Sequence, residues 1–230
     1  MKDNLWDHKR RNSETGGWFD VDPNKEKQIK DGEEYQKHNN EQYNSLSRIE
    51  KTDPKHFEKD IANAKESRPK EDKWRVSAYG AEHYVGSKCF VSNDGSTVAV
   101  TPDGDIVSVC THKDSVRGTG KQLMQFAVKN GGRKLDSYDG NHGFYTKCGF
   151  EPVSYTKFNA DFADGWKESG CPPEDVVFYK YVGVGNVKYM GDKGLEKFKS
   201  DADKNGWRFD GDDGYDNALK FRDDSMKGGK

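Results

Sequence analysis

One stretch of the chain could bind an anion mainly through its backbone: Val116-Arg117-Gly118-Thr119-Gly120-Lys121-Gln122-Leu123. It lies between a strand-like run, Asp105 to Cys110, and a helix-like run, Gly120 to Lys129. A loop in that setting aims successive N–H groups, and the positive end of the helix, at one place. Phosphate suits such a place. Two well-known phosphate loops are excluded by the residues themselves. The P-loop needs Ser or Thr after Gly-Lys, and Gln122 stands there; the dinucleotide fingerprint needs a third glycine where Leu123 stands. A plain turn with a helix cap also accounts for these glycines.

Proton chemistry has three further candidates. His112 follows the strand-like run, and a histidine titrates near neutral pH. Asp136 and Asp139 stand at and just beyond the end of a second run, Arg133 to Tyr138. Either carboxylate could take a proton or orient water, or could cap the following turn. Tyr145 reads, from type alone, as a core aromatic whose hydroxyl reaches the surface. No metal centre is expected from the cysteines. Cys89, Cys110, Cys148 and Cys171 are widely spaced, form no Cys-x-x-Cys, and sit beside apolar residues as buried free thiols do. Asp201-Ala-Asp203-Lys-Asn205-Gly206, with Asp212 at the twelfth position, fits part of a calcium-loop pattern. A solvated Asp/Asn/Gly turn is the preferred reading there.

These residues need a scaffold. Asp53-Pro54 opens a helix with Phe57, Ile61 and Ala64 on one face, and Arg68-Pro69 stops it. Trp74 to Tyr79 alternates like a strand. Lys88 to Val91, Ser96 to Thr101 and Asp105 to Cys110 are strands joined by Asn93-Asp94-Gly95 and Pro102-Asp103-Gly104 turns, an antiparallel meander. The period then changes. Leu123, Met124, Phe126, Ala127 and Val128 mark a helix, which Asn130-Gly131-Gly132 ends. Arg133 to Tyr138 is a strand, Phe144 to Gly149 a short helix, and Glu151 to Phe158 and Asp175 to Tyr181 are strands. The sum is an α+β fold: a mixed, mainly antiparallel sheet flanked by helices.

With Phe144-Tyr-Thr-Lys-Cys-Gly-Phe150 downstream of the glycine loop, the arrangement resembles the GNAT superfamily of N-acyltransferases. That family has a Gly-x-Gly-x-x-Leu loop after its fourth strand and a Phe/Leu-Tyr-x-x-x-Gly-Phe segment after its fifth. The resemblance spans roughly residues 57–182. Asp103 to Cys110, Asn130 to Asp136 and Asp175 to Phe178 resemble the variant found in tailed-phage and prophage proteins. The chain departs from the pattern at Ser115, where Gln or Arg is usual, and has no Glu on the fourth strand.

The resemblance implies an acetyl-CoA-dependent transfer of an acetyl group to an amine. The N–H groups of Gly118, Thr119, Gly120, Lys121 and Gln122, with Arg117 beside them, would hold the pyrophosphate. The strand edge ending at Val109 and Cys110 would pair with the pantetheine amide, and an N–H near either residue would stabilise the thioester oxyanion. Tyr145 would protonate the leaving thiolate. On the amine's side Asp136 is the catalytic candidate carried forward, with Asp139, His112 or a water chain left open as the base. The acceptor is an unassigned amine, with a host protein among the candidates. A bacterial cytoplasm or a virion is the implied location. The alternative the resemblance leaves open is an inactive module of this fold serving as a binding or virion component.

Composition bounds what remains. The 230 residues carry Lys+Arg 38 against Asp+Glu 40, a net charge of −2, with 31% hydrophobic and 34% charged residues. That balance is not expected of a dedicated nucleic-acid or membrane binder. No apolar run is long enough for a membrane helix or a signal region. Most apolar residues fall in 57–182. Residues 1–56 read as a polar N-terminal extension, helical over Glu33 to Lys51, that could dock on another protein. Residues 183–230 read as a polar, partly helical C-terminal extension.

Overall fold

The computed structural model describes residues 48–227 and, before them, the backbone of two short strands. Those strands, β1 (Lys9–Arg11) and β2 (Trp18–Asp20), pair antiparallel. The chain divides into two units, Met1–Leu46 and Ser47–Lys230, and all the candidate site residues lie in the second. The helix expected over Glu33 to Lys51 falls mostly outside the described residues. Its last residues depart from it, because Ile49–Thr52 form strand β3.

Helix α1 (Pro54–Ser67) starts as its residues dictate. The Asp53 carboxylate accepts from the N–H groups of Lys55, at 3.0 Å, and His56, at 3.2 Å. Phe57, Ile61 and Ala64 form its buried stripe. A short helix, α2 (Lys70–Lys73), follows. Trp74 to Tyr79 is not the strand its alternation indicated. Side chains fix it instead: the Trp74 ring packs 4.6 Å from the Tyr138 ring, and Arg75 is clamped by Glu174 and Asp72. Those contacts override the local pattern.

β4 (Lys88–Ser92), β5 (Thr97–Val100) and β6 (Ile106–Cys110) continue from β3 into an antiparallel sheet ordered β3-β4-β5-β6. So β6 is the fourth strand of this unit, with β3 rather than 74–79 as the first. Helix α3 (Thr119–Lys129) ends in a left-handed cap. Gly131 has φ 106°, and Gly132 donates to the Ala127 carbonyl at 2.9 Å. Then come β7 (Lys134–Tyr138), α4 (His142–Lys147), β8 (Phe150–Thr156), α5 (Trp166–Ser169) and β9 (Val176–Tyr181). The chain closes with α6 (Gly191–Asn205), β10 (Arg208–Phe209) and α7 (Gly214–Lys227).

The second sheet is ordered β10-β8-β9-β7, with β10 parallel to β8 and the other pairs antiparallel. The expected single sheet is therefore two four-stranded sheets. β6 and β7 meet through one parallel bridge, Asp105 to Lys134. α3, α4 and α6 cover one face, around Leu123, Met124, Tyr145, Phe198 and Ala202. α1 covers the other face of the first sheet, with Tyr84, Cys89 and Cys110.

Residues 183–230 are not merely an appendage. α6 supplies Phe198 and Ala202 to the main core, and α7 lays Ala218 and Arg222, both fully buried, against β8 and β9. The calcium-type turn is corrected too. Asp201, Asp203 and Asn205 lie inside α6, which runs on to Gly206 at φ 74°. Asp201 and Asp203 accept hydrogen bonds from the hydroxyls of Tyr189 and Tyr155. Among the described residues no cluster of His, Cys, Asp and Glu could hold a metal.

Gly149, after α4, carries a strong constraint. Its φ is +92°, and a Cβ there would stand 2.7 Å from the Val184 nitrogen, a backbone atom. Gly149→Ala is expected to cost about 2 kcal/mol or more. In a unit of this size that lowers the melting temperature by roughly 4–8 °C, measurable by calorimetry.

Candidate active site

The site is the wedge between β6 and β7. The two strands are pinned at one end, where Arg133 and Lys134 donate their N–H groups to the Gly104 carbonyl at 2.8 and 3.3 Å. The Lys134 ammonium reaches Asp103 at 2.7 Å and Asp223 at 3.0 Å. Beyond that bridge β6 pairs only with β5, and β7 only with β9. The edge of β6 from Ile106 to Cys110 therefore has no strand partner on the wedge side among the described residues.

β6 also carries a bulge. Thr97 pairs with Cys110 and Ala99 with Val107, so Ser108 and Val109 together oppose Val98. Ser108 has φ +53°, the one positive φ among the described non-glycine residues. The bulge shifts the alternation. Ser108 turns to the α1 side, where its hydroxyl is 2.8 Å from the Tyr84 hydroxyl. Val109 then packs against the α3-side core and Cys110 against the α1-side core. Burial pushes the Cys110 thiol up to about 11, and the Cys89 and Cys148 thiols likewise, so all three stay protonated at neutral pH.

The glycine loop stands where the sequence puts it, between β6 and α3. Gly118, φ 105°, is the N-cap, and no side chain caps the helix. Thr119 donates its N–H to the Val116 carbonyl at 3.2 Å, and Gln122 donates to the Gly118 carbonyl at 3.0 Å. Those two groups are thus engaged within the loop and helix. The N–H groups of Gly118, Gly120 and Lys121 make no backbone bond among the described residues. Arg117, Gly118 and Lys121 are exposed. At Gly120 a Cβ would meet the Phe144 ring at 3.3 Å and Thr111 at 3.4 Å. The glycine there serves packing of α3 on α4 as well as backbone access.

Tyr145 projects from α4 into the main core and is 7% exposed. Its hydroxyl lies near the Ser137 side chain on β7, and burial holds its pKa above the ordinary value. It is therefore a protonated donor at neutral pH, with Cys110 and Asp136 among its electrostatic neighbours. Asp136 also sits on β7, but on the opposite face. Leu135 packs in the α3-side core, whereas Asp136 pairs with Phe178 of β9, whose ring lies 5.1 Å from that of Tyr215 on α7. Burial first, and Asp105 second, push the Asp136 carboxyl up to about 6. The structure thus brings Tyr145 and Asp136 to one strand without direct contact.

The other proton candidates lie elsewhere. Asp139 is tied to Lys199 at 2.5 Å, in a group with Asp175. His112 sits in the loop after β6, its N–H on the Ser96 hydroxyl and its ring 3.5 Å from Asp114. Sequence reasoning missed Ser137, Ser108 and Tyr215. Alternation along Leu135-Asp136-Ser137 would have found the first, since it sets Ser137 on the core face. Tyr215 belongs to a helix that was read as peripheral.

Comparison with protein-family models, with curated proteins and with solved structures finds no match. Among the described residues no helix is long and apolar enough to cross a membrane.

Proposed function

We propose that the protein is a GNAT-type N-acyltransferase that moves an acetyl group from acetyl-CoA to an amine. The observation that carries this reading is the wedge: a strand edge left open beside a bulge, with a glycine-capped helix N-terminus at its end. The cofactor's pyrophosphate would lie on the N–H groups of Gly118, Gly120 and Lys121. Its pantetheine amide would add to the open edge of β6 as a further strand does. That route leads the thioester towards Val109, where an N–H beside the bulge would stabilise the oxyanion.

The two faces of β7 divide the proton work. The amine nitrogen, once deprotonated, bonds to the thioester carbon, and the C–S bond then breaks. The thiolate takes its proton from Tyr145, on the α4 side. The proton released from the amine passes to Asp136, on the α7 side, or through it to water. Both groups must come within hydrogen-bond reach, or one water, of the same tetrahedral carbon in the wedge.

A thermal-shift titration with acetyl-CoA tests the reading. At about a hundred times the dissociation constant, binding should add about 2.7 kcal/mol to the stability of the full chain. Lys121→Glu, an exposed change in the first turn of α3, should weaken acetyl-CoA at least about fivefold and leave the unliganded melting point in place. Gly120→Asp is a poorer probe because its Cβ would press on Phe144. No shift with millimolar acetyl-CoA would sink the cofactor assignment and favour an inert module of this fold.

A further inference from the structure

A cavity of about 310 Å³ opens beside Trp74. Two distant stretches of chain form it. Lys65 of α1, with Lys70 and Lys73 of α2, brings ammonium groups; Asp164, just before α5, and Glu168, within it, bring carboxylates. Neither the glycine loop nor Tyr145 lines it.

Two observations mark the cavity as a binding site. Trp74 is 4% exposed, yet among the described residues its indole N–H meets no acceptor. The ring is firmly held, 4.6 Å from that of Tyr138 and 6.2 Å from that of Phe158, with the Arg75 guanidinium 4.7 Å over it. Trp166, on α5, does find a partner and gives its N–H to the Pro172 carbonyl at 3.4 Å. A buried donor without an acceptor is rare, and a ligand oxygen is one way to supply it. The second observation is the state of the charges. Lys73 is held by Glu66 at 2.6 Å, but Lys65, Lys70, Asp164 and Glu168 form no ion pair among the described residues. Their charges cancel in sum and not in place. A simple anion would meet the carboxylates and a simple cation the ammonium groups, whereas a dipolar molecule complements both.

We propose that this cavity binds a small zwitterion, with a carboxylate and a cationic nitrogen at the two ends of a short aliphatic chain. The carboxylate would lie among Lys65, Lys70 and the Trp74 N–H, and the cationic end beside Asp164 and Glu168. The methylenes would lie on the indole and on the lysine stems. A cavity of this volume is roughly 7 Å across, enough for about three methylenes between the charges. The ligand is not the acceptor of the proposed transfer, because none of the groups assigned to that reaction lines the cavity. The proposal does not rest on the acyltransferase reading.

The probe is 4-(trimethylammonio)butyrate, which carries both charges and no nitrogen that can be acylated. Its controls are 5,5-dimethylhexanoate, of the same shape with the anion alone, and butyltrimethylammonium, with the cation alone. Each is titrated into the full chain at pH 7.5, without acetyl-CoA, and followed by ligand-observed NMR. The zwitterion should bind at least about threefold tighter than either control. Lys70→Ala should weaken the zwitterion and the carboxylate by about threefold and spare the cation. Glu168→Gln should weaken the zwitterion and the cation by about as much and spare the carboxylate. Both side chains are exposed, so the melting temperature should hold. Equal binding of the three probes, or zwitterion binding that neither substitution changes, would overturn the proposal. So would binding that Lys121→Glu abolishes and Lys70→Ala does not, because the carboxylate would then sit at the glycine loop. The outcome stands whether or not acetyl-CoA binds.

Discussion

Arg222→Ala is expected to lower the stability of the folded chain by about 3–5 kcal/mol. Arg222 is 0% exposed, on the face of α7 that meets β9. Its guanidinium holds Asp105 at 2.6 Å and Asp223 at 2.9 Å, and Asp105 forms the single bridge between β6 and β7. Removing the arginine leaves the Asp105 carboxylate, which burial already disfavours in its charged form, without its counter-charge. For a unit of this size the melting temperature should fall by roughly 6–20 °C. A cycle with Asp105→Asn distinguishes an ion pair from a packing role. The double variant should be less destabilised than the sum of the two single ones, because the uncompensated charge is gone. Strict additivity, or a loss below about 1 kcal/mol for Arg222→Ala, would show that the pair does not pin the wedge. The wedge is the proposed cofactor channel, so this pair acts on function by fixing where β6 and β7 part.

Why that pair was invisible in the sequence is a matter of side-chain size. The buried positions of α7 are Gly214, Ala218 and Arg222, a spacing of four carried by two small residues and a charged one. A search for a stripe of large apolar residues passes over it. α3 shows the opposite case. Leu123, Met124 and Ala127 mark its buried face, and Asn130-Gly131-Gly132 marks its end, so its position was legible to within a residue. Strand β3, Ile49-Glu50-Lys51-Thr52, carries no buried residue and pairs along one edge alone, so nothing in its composition separates it from a surface helix. Trp74 to Tyr79 failed for the converse reason: the alternation was present, but the Trp74 ring and the Arg75 guanidinium were taken by Tyr138, Glu174 and Asp72. In the candidate site the glycine loop was legible because glycine marks special backbone. The Ser108 bulge was not, because serine gives no warning of a positive φ. The placement of Asp136 and Tyr145 on opposite faces of β7 needed α7, which the chain's polar composition concealed.

Tyr145→Phe and Asp136→Asn are expected to slow acetyl transfer by about a hundredfold to ten-thousandfold each, while differing in every other readout. Tyr145→Phe removes a buried hydroxyl near Ser137 and leaves the ring in its packing, so acetyl-CoA binding should persist and stability should change by no more than about 1 kcal/mol. Asp136→Asn should instead raise stability at neutral pH. Its carboxyl, at about 6 in the folded protein, lies above its ordinary value of 3.8. The folded state therefore holds this proton more tightly than the unfolded state. The stability linked to it is full below about pH 4 and is lost as pH rises through 6. A shift of about two units corresponds to about 3 kcal/mol, part of which a neutral amide should recover at pH 7, on the order of 1–3 kcal/mol. The groups facing this carboxyl are Asp105, Arg222 and Tyr215, so the titration belongs to that cluster rather than to one side chain. In the wild type, kcat/KM should rise with pH along a limb near 6, as the base loses its proton; in Asp136→Asn that limb should vanish. Stabilisation together with loss of rate is the mark of a carboxylate held in an unfavourable place for its chemistry. An Asp136→Asn protein that is less stable than the wild type, and that still turns over at the wild-type rate, would make Asp136 a structural anchor for Tyr215 and leave the deprotonation of the amine to water.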